Sequence, residues 1–156
     1  MAAEAAAELT VKNVKVIKSR TVPQGLSAMM RLIPEGDFDR VTSDMEKALS
    51  EVQTGEITTA TRDVEIDEVK VKEGQIIALL NGKLVLSERN LMKGCLGLLK
   101  KIKMDDFELI TLFYGGNIEP DEVEKIANKI QETYPDHEIE IQDGGQPHYQ
   151  FIFAIE

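Results

Sequence analysis

The stretch "IIALLNGKLVLS", Ile76 to Ser87, constrains the fold more than any other. Two short apolar runs flank the pair Asn81-Gly82. A two-residue type I′ turn needs positive φ at both central positions, and asparagine followed by glycine meets that need at low steric cost. The pair predicts a β-hairpin, so the fold must hold a sheet with an antiparallel part.

A second passage asks for the opposite pairing. "FELITLFYGG" reads as a buried-type strand and "HEIEIQ" as another, with "EPDEVEKIANKIQETY" between them. In that helix Pro120 suits the first turn, and Asp121 and Glu122 sit near the positive end of the dipole. Its apolar stripe is Val123, Ile126, Ala127, Ile130 and Tyr134, and Pro135 ends it. Strand, helix, strand favours a parallel pair joined by a right-handed crossover. A mixed sheet reconciles the two demands.

The remaining segments fill in around it. "AAEAAAEL" is helix-prone through its alanines. Val14 to Ser19 is short and strand-like. "TVPQGLSAMMRLI" reads as a turn at Pro23 and Gly25 leading into a helix. Phe38, Val41, Met45, Leu49 and Val52 recur at steps of three and four, an amphipathic helix. "EITTATRDVEI" reads as one long strand, and Leu91, Met92, Cys95, Leu96, Leu99 and Ile102 form another helical stripe. "HYQFIFAIE" closes the chain as a strand. The class is α/β or α+β, with a joint near Gly55 between a helix-rich subdomain, residues 1–54, and a mixed α+β subdomain, residues 55–156.

The net charge of −10 is unevenly spread. Residues 1–31 carry five bases against two acids, whereas residues 105–156 carry two lysines against thirteen acids. An acidic chain with no arginine-rich run argues against nucleic acid as a partner. No apolar run is long enough for a transmembrane helix, and "MAAEAAAELTVK" lacks the pattern of a secretory signal. Cys95 is the single cysteine, so no internal disulfide forms, and a cytoplasmic location is expected.

Candidate chemistry is sparse. Gly115, Gly116 and Asn117 follow a strand and precede a helix, where amides and a helix dipole can hold an anion; a plain tight turn is the favoured account of the glycines. "PQGLSAMM" stands in a similar place, with Ser27 as a hydroxyl donor or as part of a helix entry. Cys95 lies on an apolar stripe and reads as an inert thiol. His137 and His148 are not at a helical pair spacing. No triad and no metal cluster emerges, and no metal or cofactor is expected in this chain. The terminal loop "DGGQPHY" reads as a sharp reversal between two strands, in which Gln146 and His148 offer more donors than a turn requires.

Four motifs taken together carry a resemblance: "TVPQGLSAMM", "VQTGEITTATRDVEID", "VKEGQIIALLNGKLV" and "DGGQPHYQFIFAIE". In this order they resemble the carboxy-terminal domain of the kinase subunit of bacterial fatty acid kinase, in the dihydroxyacetone-kinase-like family. The resemblance implies a DegV-like, EDD-type mixed sheet with packed helices. It also implies a longer protein, whose own amino-terminal kinase domain binds ATP and magnesium and phosphorylates a fatty acid presented by a DegV-like carrier. The isolated chain would then dock the carrier and catalyse nothing. The contact surface is expected at Gln24, Gly25, Ser27, Arg62, Asp143, Gly144, Gly145, Gln146 and His148. Two other readings stay open: a stand-alone anion-binding or small-molecule enzyme domain, and a dimerisation unit.

Overall fold

The computed structural model describes residues 2–66 and 68–156. The chain divides into two compact units, one ending at Val52 and one running from Gln53 to Glu156.

The first unit is helical, with α1 (Ala2–Glu8), α2 (Val22–Met30) and α3 (Phe38–Glu51). Thr21 caps α2, its hydroxyl accepting from the Gln24 amide at 3.3 Å, and Pro23 occupies the first turn, where no N–H is required. The expected turn at Pro23 and Gly25 is therefore already helix. Asp37 caps α3 through a 2.9 Å bond from the Arg40 amide. Ala28, Val41 and Met45 form the buried centre, with Ile17 and Leu49 against it. Phe38, placed on the buried stripe by its spacing, is 42% exposed. Val14 to Ser19 is not a strand. Its β-branched residues suit a pleated surface only beside a second strand, and the described residues of this unit supply none.

The second unit carries β1 (Gln53–Thr59), β2 (Val64–Ile66), β3 (Val69–Val71), β4 (Ile76–Leu80), β5 (Lys83–Glu88), α4 (Leu91–Leu99), β6 (Leu109–Tyr114), α5 (Pro120–Thr133), β7 (Glu138–Asp143) and β8 (Tyr149–Ile155). Six strands form one mixed sheet in the order β5-β4-β1-β8-β6-β7. Only β6 and β7 run parallel; the other neighbours are antiparallel. With five α-helices among the described residues, the class is α+β.

The hairpin forms as the Asn-Gly pair requires, with φ of 51° at Asn81 and 78° at Gly82. The single long strand expected from Glu56 onward does not form. The chain bends after Thr59, held by Ala60, which donates to the Gln75 carbonyl at 2.8 Å and accepts from the Gly74 amide at 2.9 Å. β2 then pairs with β3 as a separate two-stranded ribbon. Composition is equally β-prone on both sides of the bend, so nothing local marks it.

One face of the sheet is closed by helices. Ile57, Ile110, Leu112, Phe151 and Phe153 are fully buried with Leu98 and Leu99 of α4 and Ile130 of α5. α4 lies close because Gly94 has no side chain: a Cβ there would stand 2.8 Å from Ile76 Cγ2. The buried face of α4 includes Leu98, which the expected stripe omitted, while Leu91, Met92 and Leu96 are only partly buried.

Candidate functional site

β6 and β7 end side by side, with Tyr114 opposite Asp143. In open sheets the loops at the carboxyl ends of parallel strands are a frequent ligand site. Two glycine-containing loops meet there. One runs from Gly115 into α5, the other from Gly144 to His148 into β8. The second was expected to be a sharp reversal between two strands. β6 lies between β7 and β8, so the segment instead arches across the end of β6.

That crossing is tied by hydrogen bonds. The amides of Gly144 and Gly145 both donate to the Tyr114 carbonyl, at 3.0 and 3.2 Å. The Gly116 amide donates to the Gln146 carbonyl at 3.2 Å, and the Gly115 amide to the Gln150 carbonyl at 2.9 Å. The half-buried Gln146 side chain donates from Nε2 to the Phe113 carbonyl at 2.8 Å. Gly115 is required sterically, since a Cβ there would meet the Gln146 carbonyl oxygen at 2.8 Å. Gly145, at φ 60°, is required conformationally.

These bonds decide what the loops can do. An amide cradle for an anion needs outward-pointing N–H groups, and those of Gly115 and Gly116 are engaged within the loop pair. The first turn of α5 already carries Asp121 and Glu122 toward its dipole. Asn117, Asp143, Gly144, Gly145 and His148 remain exposed on a braced surface. Such a surface is suited to recognition by shape and hydrogen bonding.

The other sequence-derived candidates belong to other elements. Gln24, Gly25 and Ser27 belong to α2 in the first unit, where their polar groups do structural work. Gln24 accepts from the Arg20 amide at 2.9 Å and donates from Nε2 to the Leu49 carbonyl at 3.1 Å. Ser27 is 6% exposed, and its hydroxyl lies 3.4 Å from the Ala48 carbonyl oxygen. Arg62 is exposed in the bend before β2, at the rim of an apolar groove. Cys95 is fully buried, and burial pushes its thiol far above the ordinary range. Among the described residues no group of three or more His, Cys, Asp or Glu side chains is placed to hold a metal ion. Among the described residues no helix is long and apolar enough to cross a membrane.

The sequence pattern alone did not single out the outer face of α2. This helix buries Pro23, Ser27 and Ala28 but turns Val22, Leu26, Met29 and Met30 outward, at 60%, 46%, 59% and 81% exposure, and Ile33 just beyond its end is 62% exposed. The spacing of four, three, one and three marks one helical face. That signal is legible in "VPQGLSAMMRLI", but an apolar face read from sequence is ordinarily assigned to a core.

The FakA-like C-terminal family, whose name refers to the carboxy-terminal part of a fatty acid kinase protein, matches residues 1–156, the whole chain. An uncharacterized protein of Staphylococcus epidermidis is 36% identical over the full 156 residues. Relatives from Staphylococcus aureus and Staphylococcus haemolyticus are each 33% identical over the same span. The match covers all of this chain but only 28% of each of those proteins. This chain therefore belongs to the FakA-like, fatty acid kinase C-terminal family.

Proposed function

We propose that the chain is a non-catalytic docking domain. It engages a DegV-like protein carrying a fatty acid, so that a separate domain bearing ATP and magnesium phosphorylates the carboxylate and supplies lipid metabolism in the cytoplasm. The observation that carries this reading is the outward apolar face of α2. Exposed apolar residues scattered singly need no explanation, whereas a contiguous stripe of this kind marks an interaction surface. Methionine is unbranched and adaptable, which suits a surface that must fit a partner. In sequence the helix follows Lys15, Lys18 and Arg20 and precedes Glu35, Asp37 and Asp39. Lys15 and Lys18 already pair with Glu46 and Glu4 on the surface, so the charge that can orient a partner is that of Arg20 and of the acidic flank.

The test is calorimetric titration of this chain with the acyl-loaded DegV-like protein. Saturable binding, weakened about tenfold or more by the pair Leu26→Ser and Met30→Ser, is the expected result. No heat from a demonstrably folded chain would rule out independent docking. A second reading, a dimerisation unit, draws on the same flanking charges. Antiparallel pairing of two α2 helices would set the Arg20 of each against the acidic flank of the other. A mass that rises with concentration in sedimentation, abolished by the same two substitutions, would select it.

A further inference from the structure

The two edges of the six-stranded sheet are β5 and β7. β5 has β3 of the two-stranded ribbon beside it. Along β7, by contrast, Glu138, Glu140, Ile141, Gln142 and Asp143 are exposed and only Ile139 is partly covered.

Which backbone groups this edge leaves free follows from its bonds to β6. The Glu138 amide donates to the Glu108 carbonyl at 2.8 Å, and the Gly144 amide to the Tyr114 carbonyl at 3.0 Å. Between those two bonds the register is unbroken, from Leu109 opposite Glu138 to Tyr114 opposite Asp143. Successive residues of a strand turn their N–H and C=O groups to opposite sides, so Glu138, Glu140 and Gln142 bond to β6. The amides and carbonyls of Ile139, Ile141 and Asp143 therefore point to the open edge. Such a row is a template for another strand unless proline, lysine or a bulge interrupts it. β7 contains neither residue, and its pairing shows no bulge. Only its charge guards it.

That charge also selects what can pair. Ile139 packs on the core side, so Ile141 shares the helix-covered face, and Glu138 and Glu140 lie on the opposite one. Ile141 is 41% exposed, and neither glutamate is in an ion pair with a described residue. Residues 105–156 hold two lysines against thirteen acids, and Lys129 is already paired with Glu132. A second copy of β7 would bring glutamates alongside glutamates, and like charges across a strand pair oppose pairing. A strand with lysine or arginine at alternate positions matches Glu138 and Glu140, and an apolar residue between them falls beside Ile141.

We propose that the β7 edge accepts an extended basic segment of a partner protein as an added outer strand. Main-chain bonds to Ile139, Ile141 and Asp143 supply the affinity, and the alternation of basic and apolar side chains supplies the specificity.

The test uses a capped peptide of alternating lysine and valine, six residues long like β7, titrated into the 156-residue chain and followed by amide hydrogen exchange in NMR. Saturable binding is expected. At about ten times the dissociation constant, exchange at Ile139, Ile141 and Asp143 should slow about tenfold, while Glu140 and Gln142, already bonded to β6, change little. The matching glutamate–valine peptide should not bind, and the pair Glu138→Lys and Glu140→Lys should reverse that preference. Ile141→Pro removes an outward amide and should abolish the protection. If the proline variant does not fold, the charge reversal at two exposed positions still decides. Binding without slowed exchange would overturn the proposal, as would equal binding of the two peptides or no saturation up to about 5 mM. A mass that rises with concentration and is lost in Ile141→Pro would seat a second copy on the edge instead. Leu26→Ser with Met30→Ser should leave this titration unchanged, which separates it from docking at α2.

Discussion

The two units divide the chain's apolar residues in opposite ways. The second surrounds a sheet face with α4 and α5 and buries Phe151, Phe153, Ile110 and Leu112 completely. The first has a small buried cluster of Ala28, Val41 and Met45, with Ala48 and Val52 also buried, yet leaves Val22, Leu26, Met29 and Met30 exposed. The sheet unit uses that face to fold, while the helical unit keeps an apolar helix face exposed. Apolar area that does not stabilise the fold is free to stabilise a complex.

The sharpest way to break this contrast is to attack the closed side. Phe153→Ala removes a fully buried ring from the centre of the sheet and should cost about 3–5 kcal/mol, read as a lowered urea midpoint. A loss below about 1 kcal/mol would mean that the sheet face is not the stable core of the second unit.

The loop crossing at the end of β6 should be intermediate. Gln146→Ala deletes the 2.8 Å bond to the Phe113 carbonyl and should cost about 1–2 kcal/mol, with faster hydrogen exchange at Gly116 and Gly144. Unchanged exchange there would show that the backbone bonds alone brace the loops.

On the open side the expectation reverses. Met30→Ser, at a residue 81% exposed, should leave stability within about 0.5 kcal/mol by the same urea measurement. A large destabilisation would place Met30 in a core and remove the basis for docking at α2.

The smallest effect concerns Glu56 on β1, whose carboxyl is held above the usual range by burial. Below the ordinary carboxylate pKa it is protonated in both folded and unfolded states, and the burial has no charge to penalise. As pH rises from the ordinary value to the raised folded one, the unfolded state ionises more readily than the folded, so stability falls across that window. Glu56→Gln should raise the melting temperature slightly at about pH 7 and leave it unchanged below about pH 4. A lowered melting temperature at neutral pH would show that the carboxylate has a stabilising partner.

Sequence legibility follows the range of the forces involved. The type I′ turn at Asn81-Gly82 was legible because two residues carry the whole requirement in their own φ angles. α5 was legible because its first-turn proline, its acids and its apolar period all lie within a single segment. The parallel pairing of β6 with β7 followed from the strand–helix–strand order, which favours a crossover connection. The strand expected at Val14–Ser19 and the unbroken strand expected past Thr59 failed for one shared reason. β-propensity describes a surface that fits beside a neighbour, and whether a neighbour exists is set elsewhere in the chain. The candidate site divides in the same way. Its glycines, Gln146 and Arg62 were named from motifs, but their surroundings were not.

By itself, then, the sequence determined the hairpin, the helices α3 to α5, the mixed character of the sheet and the family resemblance, each written in local stereochemistry or in motif order. The tertiary structure alone decided that β6 separates β7 from β8, which turned an expected reversal into a braced crossing. It also decided that the amides of Gly115 and Gly116 are engaged inward and that the helical unit does not cover the apolar face of its own α2. Those outcomes depend on which distant segments meet, and a hydrogen-bond donor or a methyl group acquires its role only from what is placed against it.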